Sequence, residues 1–159
     1  MAEQSFFRRK IVAPVIGFLR QGVSPSQLAM AISIGIVIAT VPVFGASTLL
    51  CAVAIWMFRL NPAAVLFINQ IAYPLQFICY IPLIRAGEWI FRAPHIPLSI
   101  PQLFALFKDD LWGAIGKLWW STLYALAVWM VLAIAVSWVL HRIFFGVFQR
   151  TRNSLGIGN

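Results

Sequence analysis

Acidic side chains are scarce in this chain: four Asp and Glu stand among 159 residues, against twelve Lys and Arg. Glu3, Glu88 and the neighbours Asp109 and Asp110 are too scattered for an acid/base pair or a metal cluster. Cysteine is nearly absent too, and Cys51 and Cys79 lie inside apolar segments without metal-ligand spacing, so they read as small hydrophobes. His95 and His141 are isolated in the sequence, and neither a glycine-rich phosphate loop nor a nucleophile-base set is present. These gaps argue against an enzyme, and neither a metal nor a cofactor is expected.

Polar surface is the larger deficit. Only 10% of the residues are charged and 62% are hydrophobic, too few polar groups to coat a soluble domain of this length. Uncharged runs extend from Gln21 to Phe58, from Leu60 to Ile84 and from Leu118 to His141, which predicts one small integral membrane domain over residues 1–159. The net charge of +8 would suit a nucleic acid. The basic residues, however, border apolar runs and do not cluster with polar and aromatic residues, so they read as membrane anchors and no nucleic-acid partner is expected. Arg8, Arg9 and Lys10 precede an apolar stretch ending at Leu19 that superficially resembles a signal peptide. Pro14, Gly17 and the want of a small-residue cleavage site predict that it is retained.

What is present is a pattern of interruptions. As one helix, Leu28 to Phe58 would be ~46 Å long, against a hydrocarbon core of ~30 Å. In its middle stands "TVPVFG", where Pro42 removes a donor and Gly45 permits a turn, leaving halves of ~20 Å each. A re-entrant helical hairpin fits this pattern. Its start is marked by Ser24 as N-cap and Pro25 at the first helical position, and Asn61 with Pro62 repeats the device before a second break at Tyr73-Pro74. Leu118 to Leu140 is a conventional spanning helix with Trp119, Trp120 and Trp138 near its ends, bracketed by Lys117 and Arg142. Between them, Leu103, Phe104, Phe107, Leu111 and Ile115 share a face and predict an interfacial helix.

The expected fold is therefore an all-α integral membrane protein: a broken, re-entrant hairpin around Pro42-Gly45, a Pro-broken transmembrane helix, an interfacial helix and a C-terminal transmembrane helix. Its parts are a basic N-terminal segment (1–20), a core with two helix breaks (21–90), a loop and interfacial helix (91–117), a transmembrane helix (118–141) and a basic tail (142–159). Arginines and lysines at both ends favour cytoplasmic termini. Arg85, Arg92, Lys108 and Lys117 in the opposite loop weigh against that orientation.

Unwound backbone at membrane depth must be satisfied by protein or by a water-filled cavity, so the two breaks should face each other or a cavity. Asn69, Gln70, Tyr73 and Gln76 then form a polar lining, with Asn69, Tyr73 and Gln76 at i, i+4, i+7 on one helical face. Two roles stay open for them: a substrate path, or hydrogen-bonding glue between helices. Arg59 reads either as a headgroup contact, its guanidinium pairing with phosphate, or as an interfacial arginine snorkelling to the surface. Arg85 and Glu88 suggest a local ion pair. Small residues at Ala31, Gly35 and Ala39, at Ser121 and Ala125, and at Ala133 and Ser137 admit a neighbouring helix, by internal packing or by dimerisation.

"GVSPSQLAMAISIGIVIATVPVFG" followed by "RLNPAAVLFINQIAYPLQF" resembles the bacterial membrane-protein family DUF2062 over residues 20–90, through Gly22, Ser24, Pro25, Pro42, Gly45, Arg59, Asn61, Pro62 and Asn69. Where the family pattern continues Asn-Pro, this chain has Asn69-Gln70 and delays its proline to Pro74. The resemblance supplies no activity, but relatives fused to glycosyltransferase-like domains imply work near lipid-linked sugars. The expectation is a small transporter or flippase-like protein for a lipid phosphate or other amphiphilic anion, at least a homodimer, in contact with membrane lipids. The alternative is a scaffold holding a membrane enzyme, possibly one of lipid-linked glycan synthesis. A membrane-embedded enzyme would depend on Glu88, Asp109 or Asp110.

Overall fold

The computed structural model describes residues 24–95 and 111–154, together with residues 17 and 108. Among these residues it is all helical: α1 (Pro25–Ala39), α2 (Ala46–Phe58), α3 (Pro62–Ala72), α4 (Pro74–Ile90) and α5 (Leu111–Ser154). Local chemistry sets the starts. The Ser24 hydroxyl accepts from the Gln27 amide and the Asn61 side chain from the Ala64 amide, both at 3.2 Å, each followed by proline at the first helical position.

The two breaks differ in kind. After α1, the amides of Thr40 and Val41 bond back to Val37 and Ile38, and Gly45 at φ +84° turns the chain into α2. Between α3 and α4, Tyr73 keeps helical angles and Pro74 opens the next helix, so the axis bends by 67°. α2 itself ends on Arg59, which takes the left-handed position usually held by glycine, while the Leu60 amide bonds Ile55 O at 3.2 Å.

α5 is the spine of the molecule. Its 44 residues correspond to ~66 Å of helix. Trp129, near its middle, donates to Thr40 at the end of α1, and His141 borders the same groove as Met30 near its start, so α1 runs antiparallel to the C-terminal half of α5. On the other side of Trp129, Leu83 and Ile84 cluster with Ala125, Gly87 presses on Tyr124, and Phe91 stacks on Tyr124 with centroids 4.9 Å apart. α4 therefore continues in the direction of α1 along the N-terminal half of α5, and the two helices meet head to tail beside Trp129.

α2 and α3 form an excursion inserted at that junction. Val37 and Leu50 near the turn, and Met30 and Met57 far from it, line one groove, so α2 returns along α1. α3 then comes back parallel to α1, with Asn69 bonded to Gly35 and Gln76 to Val41 at offsets of 34 and 35 residues. One half of α5 thus carries α1, against which α2 and α3 pack in turn, and the other half carries α4. α1 is the buried centre, and Leu28, Ala29, Ala31, Ile32 and Ile38 belong to the larger core cluster.

Helix approach is close at two glycines. A Cβ on Gly35 would lie 3.0 Å from Val65 O, and one on Gly87 would lie 2.8 Å from the Ala125 backbone nitrogen. Ala31 and Ala39 are buried beside Gly35 in α1, and Ser121 and Ala125 are buried on α5, so these small residues serve internal packing.

The described helices depart from the expected boundaries at α5. The spanning segment does not stop at His141, and the tail is helical to Ser154, because no proline interrupts it and Phe144, Phe145 and Phe148 pack into the cluster of Leu28 and Leu60. Leu111 and Ile115 begin this same helix and do not belong to a separate interfacial one, and Ile115 is exposed. Leu103, Phe104 and Phe107, most of residues 1–20, and Gly22 lie outside the described residues. Among the described residues, α5 alone is long and apolar enough to cross a membrane; α3 and α4 pass that test together as a bent pair, whereas α1 and α2 are shorter apolar helices.

Candidate functional site

Among the described residues, three places stand out for their polar groups. The first is the junction of the breaks. The last carbonyls of a helix have no helical amide to accept from, and buried carbonyls require other donors. Here Gln76 donates from Nε2 to Val41 O at 2.8 Å, Thr40 from its hydroxyl to Val37 O at 2.8 Å, and Trp129 from Nε1 to the Thr40 hydroxyl at 3.2 Å. One turn earlier, Asn69 donates from Nδ2 to Gly35 O at 3.2 Å. The negative end of α1 also meets the positive end of α4, an arrangement favourable to both dipoles.

Asn69 is 4% exposed and Gln76 is fully buried, so both amides face α1 in the protein interior. Tyr73, half-buried at the hinge, meets Phe77 edge-on, and Gln70 is exposed and does not join the other three. Pro42 is buried, while Gly45 and Pro74 are exposed. The bend at Pro74 takes Asn69, Tyr73 and Gln76 off a single straight helical face, yet Asn69 and Gln76 both still reach α1. The Gln76 Oε1 atom is buried without a protein partner.

The second place is a groove of about 540 Å³ between α1, α2 and α5. Val37 and Trp129 line it at the level of the junction, Ala54 and Ile134 along its length, and Met30 and His141 at the far end. Its walls are almost wholly carbon, and the Ser33 hydroxyl in its lining is turned back onto Ala29 O at 2.7 Å. Two arginines directly follow lining residues of the far end. Arg59 is exposed and directly follows Phe58, the last groove residue of α2, and the Arg142 guanidinium sits 5.1 Å from the ring centre of Trp138. The His141 ring stacks on Phe145, and its Nδ1 is buried without a hydrogen-bond partner.

The third place closes α4. Glu88 is fully buried, and its Oε2 accepts from Arg85 at 2.7 Å and from His95 Nδ1 at 2.8 Å. Arg85 and Glu88 form the local pair their spacing suggests. His95 is not isolated: the turn after α4, with Arg92 at φ +50° and the Ala93 amide bonded to Glu88 O, folds it back onto the carboxylate. Among the described residues, no three His, Cys, Asp or Glu side chains gather as a metal site. Cys51 is buried in the larger core and Cys79 packs on the smaller one, both as free thiols.

A family model described as "Uncharacterized protein conserved in bacteria (DUF2062)" matches residues 9–154. The chain belongs to the DUF2062 family. The match runs well past residue 90 and takes in all of α5, the spine on which the two breaks are assembled. No curated protein matches the chain, and no solved structure does. The residues that carry the family resemblance hold distinct structural posts: Ser24 and Asn61 cap, Pro25 and Pro62 open helices, Gly45 and Arg59 occupy left-handed positions, and Asn69 ties α3 to α1. The delayed proline has a visible effect, because α3 continues through Gln70 and bends only after Tyr73.

Sequence reasoning missed Thr40, Trp129, Gly87 and the groove role of His141. A tryptophan at the centre of an apolar run, away from both ends where Trp119, Trp120 and Trp138 stand, was the available signal for Trp129, since its N–H needs a partner at depth.

Proposed function

We propose that this protein is a multi-pass bacterial inner-membrane protein that binds and moves a lipid phosphate or another amphiphilic anion along the groove between α1, α2 and α5. The observation that carries this reading is the groove itself: about 540 Å³ of carbon-lined space, with Arg59 and Arg142 next in the chain to the lining residues Phe58 and His141. Its volume lies within the range of small-molecule sites. Membrane placement draws support from the exposed Leu49, Val53, Trp56, Val131 and Ile134, an apolar surface that water disfavours and acyl chains suit.

In this placement α1 and α2 are the re-entrant hairpin, α3 and α4 the bent crossing, and α5 the return. Arg59, Arg142 and Arg150 then lie toward the cytoplasm with both termini, in keeping with the positive-inside rule. Gln76 holds the unwound backbone and Asn69 ties α3 to α1 at mid-depth, and Arg59 contacts the anion. A single three-helix half gives the groove an open side, so the working unit is at least a homodimer.

The test is translocation of a fluorescent lipid phosphate in proteoliposomes. We expect transfer above protein-free vesicles, and a loss of most of it in Arg59→Ala. Equal rates with and without protein would overturn the transport reading. A second reading, a scaffold for a membrane enzyme, is favoured by the engagement of both buried amides in holding helices together. Copurification of a stoichiometric partner together with absent flux would select it.

A further inference from the structure

We infer that the His141 end of the groove is a headgroup site for one lipid phosphate of the cytoplasmic leaflet, with an acyl chain laid along the groove toward Trp129. This inference rests on the membrane placement and on the groove as the binding site. It adds the direction in which the lipid lies and the residues that read its head.

Three observations converge. From His141 to Trp129 the groove follows α5 for twelve residues, ~18 Å, close to half of a ~30 Å hydrocarbon core. One leaflet's chain therefore ends at the junction of the breaks, where Gln76, Thr40 and Trp129 close the interior. Charge is confined to the other end. Arg59 forms no ion pair among the described residues, and Arg142 is held only against the face of Trp138, so both guanidinium groups remain available to an anion.

His141 adds a polar atom at this end. Its ring lines the groove, and its Nδ1 lacks a partner. The two ring orientations related by a half-turn occupy nearly the same space, so a phosphate beside it would select the one that presents a nitrogen and remove the unmet donor. A neutral headgroup satisfies neither the arginines nor this atom as well. The occupant is thus a lipid phosphate with net negative charge, neither a zwitterionic phospholipid nor any apolar chain.

The experiment is native mass spectrometry of the detergent-purified protein titrated with phosphatidic acid and, separately, with phosphatidylcholine of the same chains. The wild type should retain phosphatidic acid about tenfold more tightly, the equivalent of one charge-assisted hydrogen bond. Arg59→Gln and His141→Leu should each remove most of that preference, whereas Arg150→Gln, beyond the groove on the same helix, should keep it. Arg59→Gln alters an exposed side chain, so its result stands even if His141→Leu does not fold. Equal retention of the two lipids by the wild type, or an undiminished preference in Arg59→Gln, would overturn the site. If the preference and its loss are observed while vesicles show no translocation, the headgroup site stands and transport falls. If translocation occurs and Arg59→Gln and His141→Leu leave it unchanged, the headgroup lies elsewhere.

Discussion

The break after α1 and the break after α3 look alike in sequence, each a proline at the end of an apolar helix, but they solve different problems. At the first, the chain reverses: Gly45 adopts φ +84°, and the freed Val41 carbonyl is met by a side chain from 35 residues away. At the second, the chain only bends, Tyr73 stays helical at φ −52°, and the Gln76 amide bonds Tyr73 O locally at 3.0 Å. The first break depends on a distant donor and on one glycine; the second is nearly self-sufficient. A proline alone kinks a helix, and reversal needs a residue that can enter the left-handed region.

That contrast orders four substitutions, read as loss of thermal stability in mild detergent. Gln76→Leu strikes hardest, because it leaves Val41 O buried without its donor, and about 2 to 3 kcal/mol should be lost. Gly45→Val forces a β-branched residue to positive φ and should cost about 1 to 2 kcal/mol, seen as a lower midpoint with helical content retained below it. Asn69→Leu should cost about 1 kcal/mol, since Gly35 O lies inside α1 and keeps a helical partner. Pro74→Ala should change stability by less than about 1 kcal/mol, because the lost chain stiffness is offset by relief of the helical residue before proline. A Pro74→Ala loss larger than that of Gly45→Val would erase the distinction between the breaks. Equal losses for Gln76→Leu and Asn69→Leu would show that Val41 O is no more dependent than Gly35 O.

The local half of this architecture was legible in the sequence. Ser24-Pro25, Asn61-Pro62, Pro42 with Gly45, and Tyr73-Pro74 are short signals whose physics is complete within a few residues, and the helices start and break where they stand. The end of α5 was not legible, because basic residues after Leu140 read as a tail although Phe148 has a buried place waiting against the start of α1. The site was legible only as a set of polar residues. That Asn69 and Gln76 turn toward α1 while Gln70 turns outward depends on the parallel docking of α3, and the groove exists because α2 and α5 cover different flanks of α1. His95 reached Glu88 through the left-handed turn at Arg92, a conformation that an arginine does not advertise.

In the membrane placement we propose, the length of α5 has a mechanical consequence. Trp120 and Trp138, both largely exposed, are separated by 18 positions or ~27 Å along the axis, near the thickness of a hydrocarbon layer. With α1 and α4 clamped along the same rod at Thr40 and Gly87, a thinner or thicker bilayer has no soft joint to absorb the mismatch. In that placement the whole assembly would tilt, and the rod would act as a depth gauge that carries the mouth of the groove up or down with it.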